Sequence, residues 1–283
     1  MRLKSSPKIY NNYKCDHPEN TIKRIETKLE KLGLKLKYKE IKIHSIGVSC
    51  YSGDLFLEDF GFKVTGKGIT RDLAKASAYA EMVERISAGF TFFYNLNSNI
   101  EKYYQILESV LNRKFLKGFT LNKNSTRDNF ENINQYFQND FNFDQYKLLK
   151  ENEVFDILVD SYSLIDKKYL KIPINFIEIA SGSNGLAAGN TYEEAIVQGS
   201  CEIFERYAAC EIVSKKIICP TIDINTIDDD RIQNFVKMLA SINIEVLIKD
   251  FSLNNKIPVI GVLFTNNNKT FADFKLKEHS FAL

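Results

Sequence analysis

Ser77, Glu81, Glu84 and Arg85 fall within the nine-residue stretch SAYAEMVER. On an α-helix each residue advances about 100°, so the spacing i, i+4, i+7 gathers Ser77, Glu81 and Glu84 within roughly 60° of one another. Ala78, Met82 and Ile86 point elsewhere. Two carboxylates on one stripe repel unless something positive lies between them. An arginine partner would suffice for a solvated helix face. A divalent cation would make the stripe a binding site.

A second copy of the pattern lies 121 residues on. Gly68, Thr70, Ala74, Glu81, Glu84, Arg85 and Ala88 become Gly189, Thr191, Ala195, Glu202, Glu205, Arg206 and Ala209, seven identities in a 21-residue window. In this copy Glu194, Gln198, Glu202 and Glu205 lie within about 80° on a helix, with Ala195, Ile196, Ile203 and Phe204 supplying the apolar side. Both copies follow small-residue stretches, TGKG and GLAAGN. Free backbone N–H groups at such a turn can hold phosphate oxygens, while carboxylates hold Mg2+ that bridges to phosphate. TGKG lacks the full G-x-x-x-x-G-K-[ST] loop, which excludes a Walker-type ATPase. Two such helices facing one another would form a nucleotide–metal cradle.

The elements that must position these residues follow from periodicity. DHPENTIKRIETKLEKLG (16–33) predicts a helix, with Pro18 early, an apolar stripe of Ile22, Ile25, Leu29 and Leu32, and Gly33 as terminator. LKLKYKEIKI (34–43) alternates as a half-buried strand, and 46–52 and 60–64 predict two more. Residues 66–90 open with glycines, offer Thr70 as an N-cap and run as a helix to Gly89. Residues 115–150 form a polar, loop-rich insertion. DILVDSYSL and YLKIPINFIEIA predict strands, 192–214 and 228–240 helices, and IEVLIKD and IPVIGVLFT the last strands. The fold class is α/β with α+β character, long helices on a mostly mixed sheet.

Composition narrows the function classes. The chain has 283 residues, 44% hydrophobic and 26% charged, with net charge +2. That balance gives no general reason to expect nucleic acid or an anionic membrane. No apolar run approaches the ~20 residues of a bilayer span, and no h-region follows MRLKSSPKIY. Cys15, Cys50, Cys201, Cys210 and Cys219 form no C-x-x-C pair, and the three histidines are scattered. The simple expectation is a cytosolic protein without a zinc site or disulfide framework.

TGKGITRDLAKASAYAEMVERIS (65–87) and SNGLAAGNTYEEAIVQGSCEIFERYA (183–208) resemble the two most diagnostic stretches of the YcaO family, and KCDHPENTIKRIETKLEKLG resembles its N-terminal region. The resemblance covers most of residues 14–265 and is weakest across the insertion. It implies ATP and Mg2+ bound through glutamates and used to phosphorylate a peptide backbone amide oxygen. Attack by a neighbouring side chain then yields an azoline, and attack by an external sulfur donor a thioamide. A stand-alone bacterial branch, to which VQGSCEIFERYA is especially similar, instead assists methylthiolation of a ribosomal protein.

By matching position, the resemblance implies nucleotide and Mg2+ contacts from Ser77, Glu81 and Glu84 and from Asn190, Glu194, Glu202, Glu205 and Arg206. Lys14 and Thr21, seven residues apart, match a nucleotide-contacting pair near the N-terminus of the stand-alone branch. Glu81, Glu84, Glu202 and Glu205 are the expected metal ligands, and no catalytic residue is singled out. The implied partners are a peptide or protein substrate, a partner protein and a second copy in a homodimer, with no membrane and no direct nucleic-acid contact.

Two departures stand out. Ala187 replaces a serine of the stand-alone branch, losing one hydrogen bond. The resemblance also implies a helix after FADF carrying an arginine and a glutamate, but the chain reaches Leu283 first. The expectation is a single domain over 1–283, incomplete at its C-terminal end, with halves 1–114 and 151–283 flanking the insertion 115–150. Such a chain would be inactive alone in amide activation. The alternative is a non-catalytic module that binds a nucleotide, peptide or partner without turnover.

Overall fold

The computed structural model describes residues 4–5, 7–10, 14–31, 34–44, 49–58, 61–88, 119–122, 156–163, 166–173, 182–254 and 257–266. The first half runs α1 (Pro18–Glu30), β1 (Leu36–His44), β2 (Ser49–Leu57), β3 (Phe62–Gly68) and α2 (Arg71–Ser87). Next come β4 (Phe119–Asn122), β5 (Asp156–Ser163), β6 (Lys168–Pro173) and α3 (Tyr192–Lys215). A 3₁₀ turn (Ile224–Thr226), α4 (Asp230–Ser241), β7 (Ile244–Asp250) and β8 (Ile260–Asn266) follow.

The class is mixed α/β, but the sheet expected to be mixed is not. The described strands make two three-stranded sheets, β1-β2-β3 and β4-β5-β6, and the pair β7-β8. Every pairing in them is antiparallel. Connection length explains this for β1–β2, β2–β3, β5–β6 and β7–β8, whose connections are shorter than the dozen or more residues that a parallel crossover needs. β4 is a strand that the polar composition of the insertion concealed. The rest of that insertion, and the ending FADFKLKEHSFAL, lie outside the described residues.

The first core is built by period-two and period-four patterns meeting. Leu55 and Leu57 of β2 and Val64 of β3 face Ala78, Met82 and Ile86 of α2 and Ile22 and Leu29 of α1. Tyr79 joins them and donates its hydroxyl to Glu26 of α1 at 2.6 Å. On the opposite sheet face Asp54 accepts Thr65 Oγ1 at 2.7 Å and Lys63 Nζ at 3.2 Å. A smaller core gathers Leu239, Val246 and Ile248 beneath α4.

The internal repeat has a structural counterpart. Each of the two long helices is preceded in the chain by a three-stranded antiparallel sheet, the second of which takes its first strand, β4, from the insertion. Thr70 caps α2 by accepting from Leu73 N–H, and Thr191 caps α3 by accepting from Glu194 N–H. A Cβ on Gly68 would meet Ala74 N at 2.5 Å and Leu73 Cβ at 2.7 Å. On Gly189 it would meet Ala195 N at 2.5 Å and Glu194 Cβ at 2.7 Å. These are the same contacts at the same offset.

The glycines of TGKG are not a phosphate-cradling turn. Gly66 and Gly68 are strand residues of β3, pressed against the backbone of α2. Their lack of a side chain lets strand and helix touch. The apolar side of α3 also departs from expectation, because Ile203 and Phe204 are exposed. Ile203 lies against Gly185. Among the described residues no helix is long and apolar enough to cross a membrane.

Candidate functional site

On α2, the apolar stripe Ala74, Ala78, Met82, Ile86 is buried in the core, which turns Glu81 and Glu84 away from it. Arg85 joins both, with Nη2 3.2 Å from Glu81 Oε1 and Nη1 3.5 Å from Glu84 Oε1. α3 repeats the arrangement more loosely. Arg206 Nη2 is 3.7 Å from Glu202 Oε1, and Nη1 is 4.0 Å from Glu205 Oε1. The bland explanation of E-x-x-E-R is therefore present in both copies: an arginine lies beside each pair.

Arginine alone does not account for the electrostatics. Burial pushes the Glu84 carboxyl up to about 7, Arg85 draws it back, and the charges of Glu81 and Glu202 add to the rise. Glu202 belongs to the other half of the repeat, so the two carboxylate helices approach closely enough for their charges to be felt. Glu84 is also the most enclosed of the four, its side chain 16% exposed. Like charges enclosed together fit a cation, since an Mg2+ ion would relieve what arginine leaves uncompensated. Among the described residues no three carboxylate, imidazole or thiol groups form a ready-made metal cage.

Arg206 shows the complementary deficit. Its Nε is buried without a hydrogen-bond partner among the described residues. A buried guanidinium N–H left unpaired is costly, and an anionic oxygen would satisfy it. Mg2+ and phosphate together fit the groups present.

A pH dependence follows. A carboxyl raised from its ordinary 4.5 to about 7 contributes stability that is complete below 4.5 and lost as pH rises through about 7. The ligand-free chain should therefore lose on the order of 3 kcal/mol between pH 4.5 and 8, at about 1.4 kcal/mol per unit. Glu84→Gln should flatten that slope in urea denaturation. An unchanged slope in the variant would show that Glu84 is not its source.

The segment before α3 is held on the helix. Gly185, at φ +81°, donates its N–H to Glu202 Oε2 at 3.1 Å. A Cβ on Gly199 would come within 2.5 Å of the Gly185 carbonyl, so the helix needs its glycine there. Glu194, expected as a nucleotide contact, turns inward. It accepts Cys15 N–H at 2.7 Å and Asn190 N–H at 2.9 Å. Burial works to raise its carboxyl, but those bonds, the Cys15 thiol and the charge of Lys14 hold it below the ordinary range. Glu194 thereby ties the start of α3 to residues 14–15, and Lys14 comes with them.

Thr21, on α1, donates to Asn190 Oδ1 at 2.8 Å, so two expected contacts separated by 169 positions meet directly. The tertiary fold thus gathers Lys14, Thr21, Asn190 and Glu194 in one cluster and Glu81, Glu84, Glu202, Glu205 and Arg206 in another. Ser77 is exposed on α2, one turn before Glu81. Arg24 and Asp16 belong to the first cluster and were not picked out from the sequence. Their only local signal is Arg24 lying one helical turn after Thr21. Arg85 is the counter-charge of the first carboxylate pair.

The model of the family described as YcaO cyclodehydratase, ATP- and Mg2+-binding, matches residues 65–276. The ribosomal protein S12 methylthiotransferase accessory factor YcaO of Escherichia coli is 28% identical over 280 residues, covering 90% of this chain and 44% of that protein. An uncharacterized protein of Haemophilus influenzae is 30% identical over 210 residues, covering 72% of this chain and 35% of its own length. The chain thus spans less than half of each of these relatives. A solved structure of a heterocyclase in complex with substrate and cofactor superposes with a TM-score of 0.58 at 18% identity, over 94% of this chain and 37% of that one. That likeness is one of fold. With the family model matching most of its length, including both glutamate helices, the chain belongs to the YcaO family, whose members are ATP- and Mg2+-binding and cyclodehydratase-like.

Proposed function

We propose that the chain binds Mg2+-ATP between α2 and α3 and serves the activation of peptide backbone amides. The observation that carries this reading is the pairing of deficits: Glu84 raised by burial and, beyond that, by the charges of Glu81 and Glu202, and Arg206 Nε buried without a partner among the described residues. Glu81, Glu84, Glu202 and Glu205 would hold Mg2+. Lys14 and Arg206 would hold phosphate charge, and Thr21, Ser77 and Asn190 would supply hydrogen bonds. Bound Mg2+-ATP supplies a phosphoryl group for the amide oxygen, turning a poor leaving group into phosphate.

The chain's own residues orient the nucleotide and neutralise its charge, which is where phosphoryl-transfer catalysis chiefly resides. The substrate class is a peptide or protein. The outcome lies among azoline formation, thioamide formation and assistance to methylthiolation of a ribosomal protein. The last is what the name of the E. coli relative describes for that protein.

Calorimetric titration with ATP in Mg2+ buffer and in EDTA tests the reading. Saturable binding is expected with Mg2+, and at least ~10-fold weaker binding without it, because carboxylates bind no phosphate directly. Equal affinity in EDTA, or no binding in Mg2+, would remove the proposed site.

A further inference from the structure

We infer that Arg24 is a positioning residue that fixes the orientation of the Asn190 amide, so that Asn190 offers the nucleotide a donor and never an acceptor. This rests on the nucleotide reading above. Arg24 Nη2 donates to Asn190 Oδ1, the same oxygen that receives the Thr21 hydroxyl at 2.8 Å. The Thr21 proton has a second, longer option at the His17 carbonyl, 3.2 Å away, whereas the guanidinium has only donors. The atom facing Arg24 must therefore be the amide oxygen. An amide turned over would set N–H against N–H.

Arg24 is itself fixed. Its Nη1 donates to Asp16 Oδ2 at 2.8 Å. The other Asp16 oxygen accepts Asn20 Nδ2 and His17 N–H, both at 2.9 Å. Hydrogen bonds from Asn20 and the Arg24 charge hold the Asp16 carboxyl below its ordinary range, so this counter-ion stays ionised near neutral pH. Backbone contacts restrain Asn190 as well, through its N–H on Glu194 Oε2. Both Oδ1 lone pairs are occupied, and Nδ2 donates to nothing among the described residues. What remains for a ligand is an N–H, which fits a phosphate, ribose or ring-nitrogen acceptor and rejects a donor.

Calorimetry on the full chain tests this with Mg2+-ATP as probe, alongside melting of the ligand-free proteins. Asn190→Asp keeps an oxygen toward Thr21 and Arg24 and adds a charge pair with Arg24. It should melt at or above the wild-type temperature yet bind Mg2+-ATP more than ~10-fold more weakly. Arg24→Gln should weaken binding several-fold when Asn190 is present and by nothing further in an Asn190→Ala background. Arg24→Lys, which retains charge without the fork, should behave like Arg24→Gln.

A merely structural Arg24 would shift melting without this non-additivity, and an Arg24 touching the nucleotide would act in both backgrounds. Wild-type affinity in Asn190→Asp, or additive losses, would overturn the inference. If the wild type bound no Mg2+-ATP, the nucleotide reading would fall first. If it bound normally and only Glu202→Gln impaired it, this inference alone would fall.

Discussion

Mg2+-ATP affinity should fall at least ~10-fold in Glu202→Gln and in Glu81→Gln, while the ligand-free chain becomes no less stable. The two effects have opposite signs because the carboxylates repel one another when no cation is present. Glu81 and Glu202 both raise the Glu84 carboxyl, so neutralising either one lowers the cost of ionised Glu84. Glutamine at 202 can still accept the Gly185 N–H through its amide oxygen, leaving the preceding loop in place. Only the charge is lost, and Mg2+ selects charged oxygen. The partner lost by Arg206 is weakly held at 3.7 Å, which limits the structural penalty. Calorimetry and thermal melting on the same preparations read both signs. Unchanged affinity in both variants would remove these glutamates from the site. Lower stability with lower affinity would make them structural.

Gly66→Ala should destabilise the chain by about 3 kcal/mol or more. A Cβ there would sit 2.2 Å from the Ala74 carbonyl oxygen and 2.2 Å from Ala78 N. Both are helix backbone atoms that cannot rotate away. Either β3 or α2 must shift, separating Val64 and Leu55 from Ala78 and Met82. The same shift would carry Glu81 and Glu84 away from α3. Gly261→Ala is the comparison, because the nearest atoms to its new Cβ belong to the Phe251 ring, from 2.4 Å, and a ring can swing aside. Urea denaturation should show a much lower midpoint for Gly66→Ala than for Gly261→Ala. A Gly66→Ala midpoint near wild type would mean that the strand and helix have slack the packing does not show.

Local order in the chain was enough to determine the carboxylate helices. A 3.6-residue period depends on neighbours along the chain, so Ala78, Met82 and Ile86 could be assigned to one side of α2 and Glu81 and Glu84 to another before any fold was known. The N-caps at Thr70 and Thr191 are equally local, and the 121-residue offset survives as matching caps, glycine contacts and arginine pairs. Strands were legible as strands, but their partners were not, since pairing joins distant segments and alternation fits either direction. That is why a mixed sheet was expected where antiparallel sheets formed, and why β4 went unseen in a polar stretch. Gly66 and Gly68 looked like turn residues because glycine permits both a turn and a close approach; only the position of α2 decided between them. The Glu84 shift and the Arg24–Asn190 bond depend on charges and donors brought together from opposite halves. Arg24 and Asn190 stand 166 residues apart. Periodicity along the chain assigns the reactive side chains to their helical stripes; which of them meet depends on the folded arrangement, because desolvation and hydrogen bonding act over distances in space.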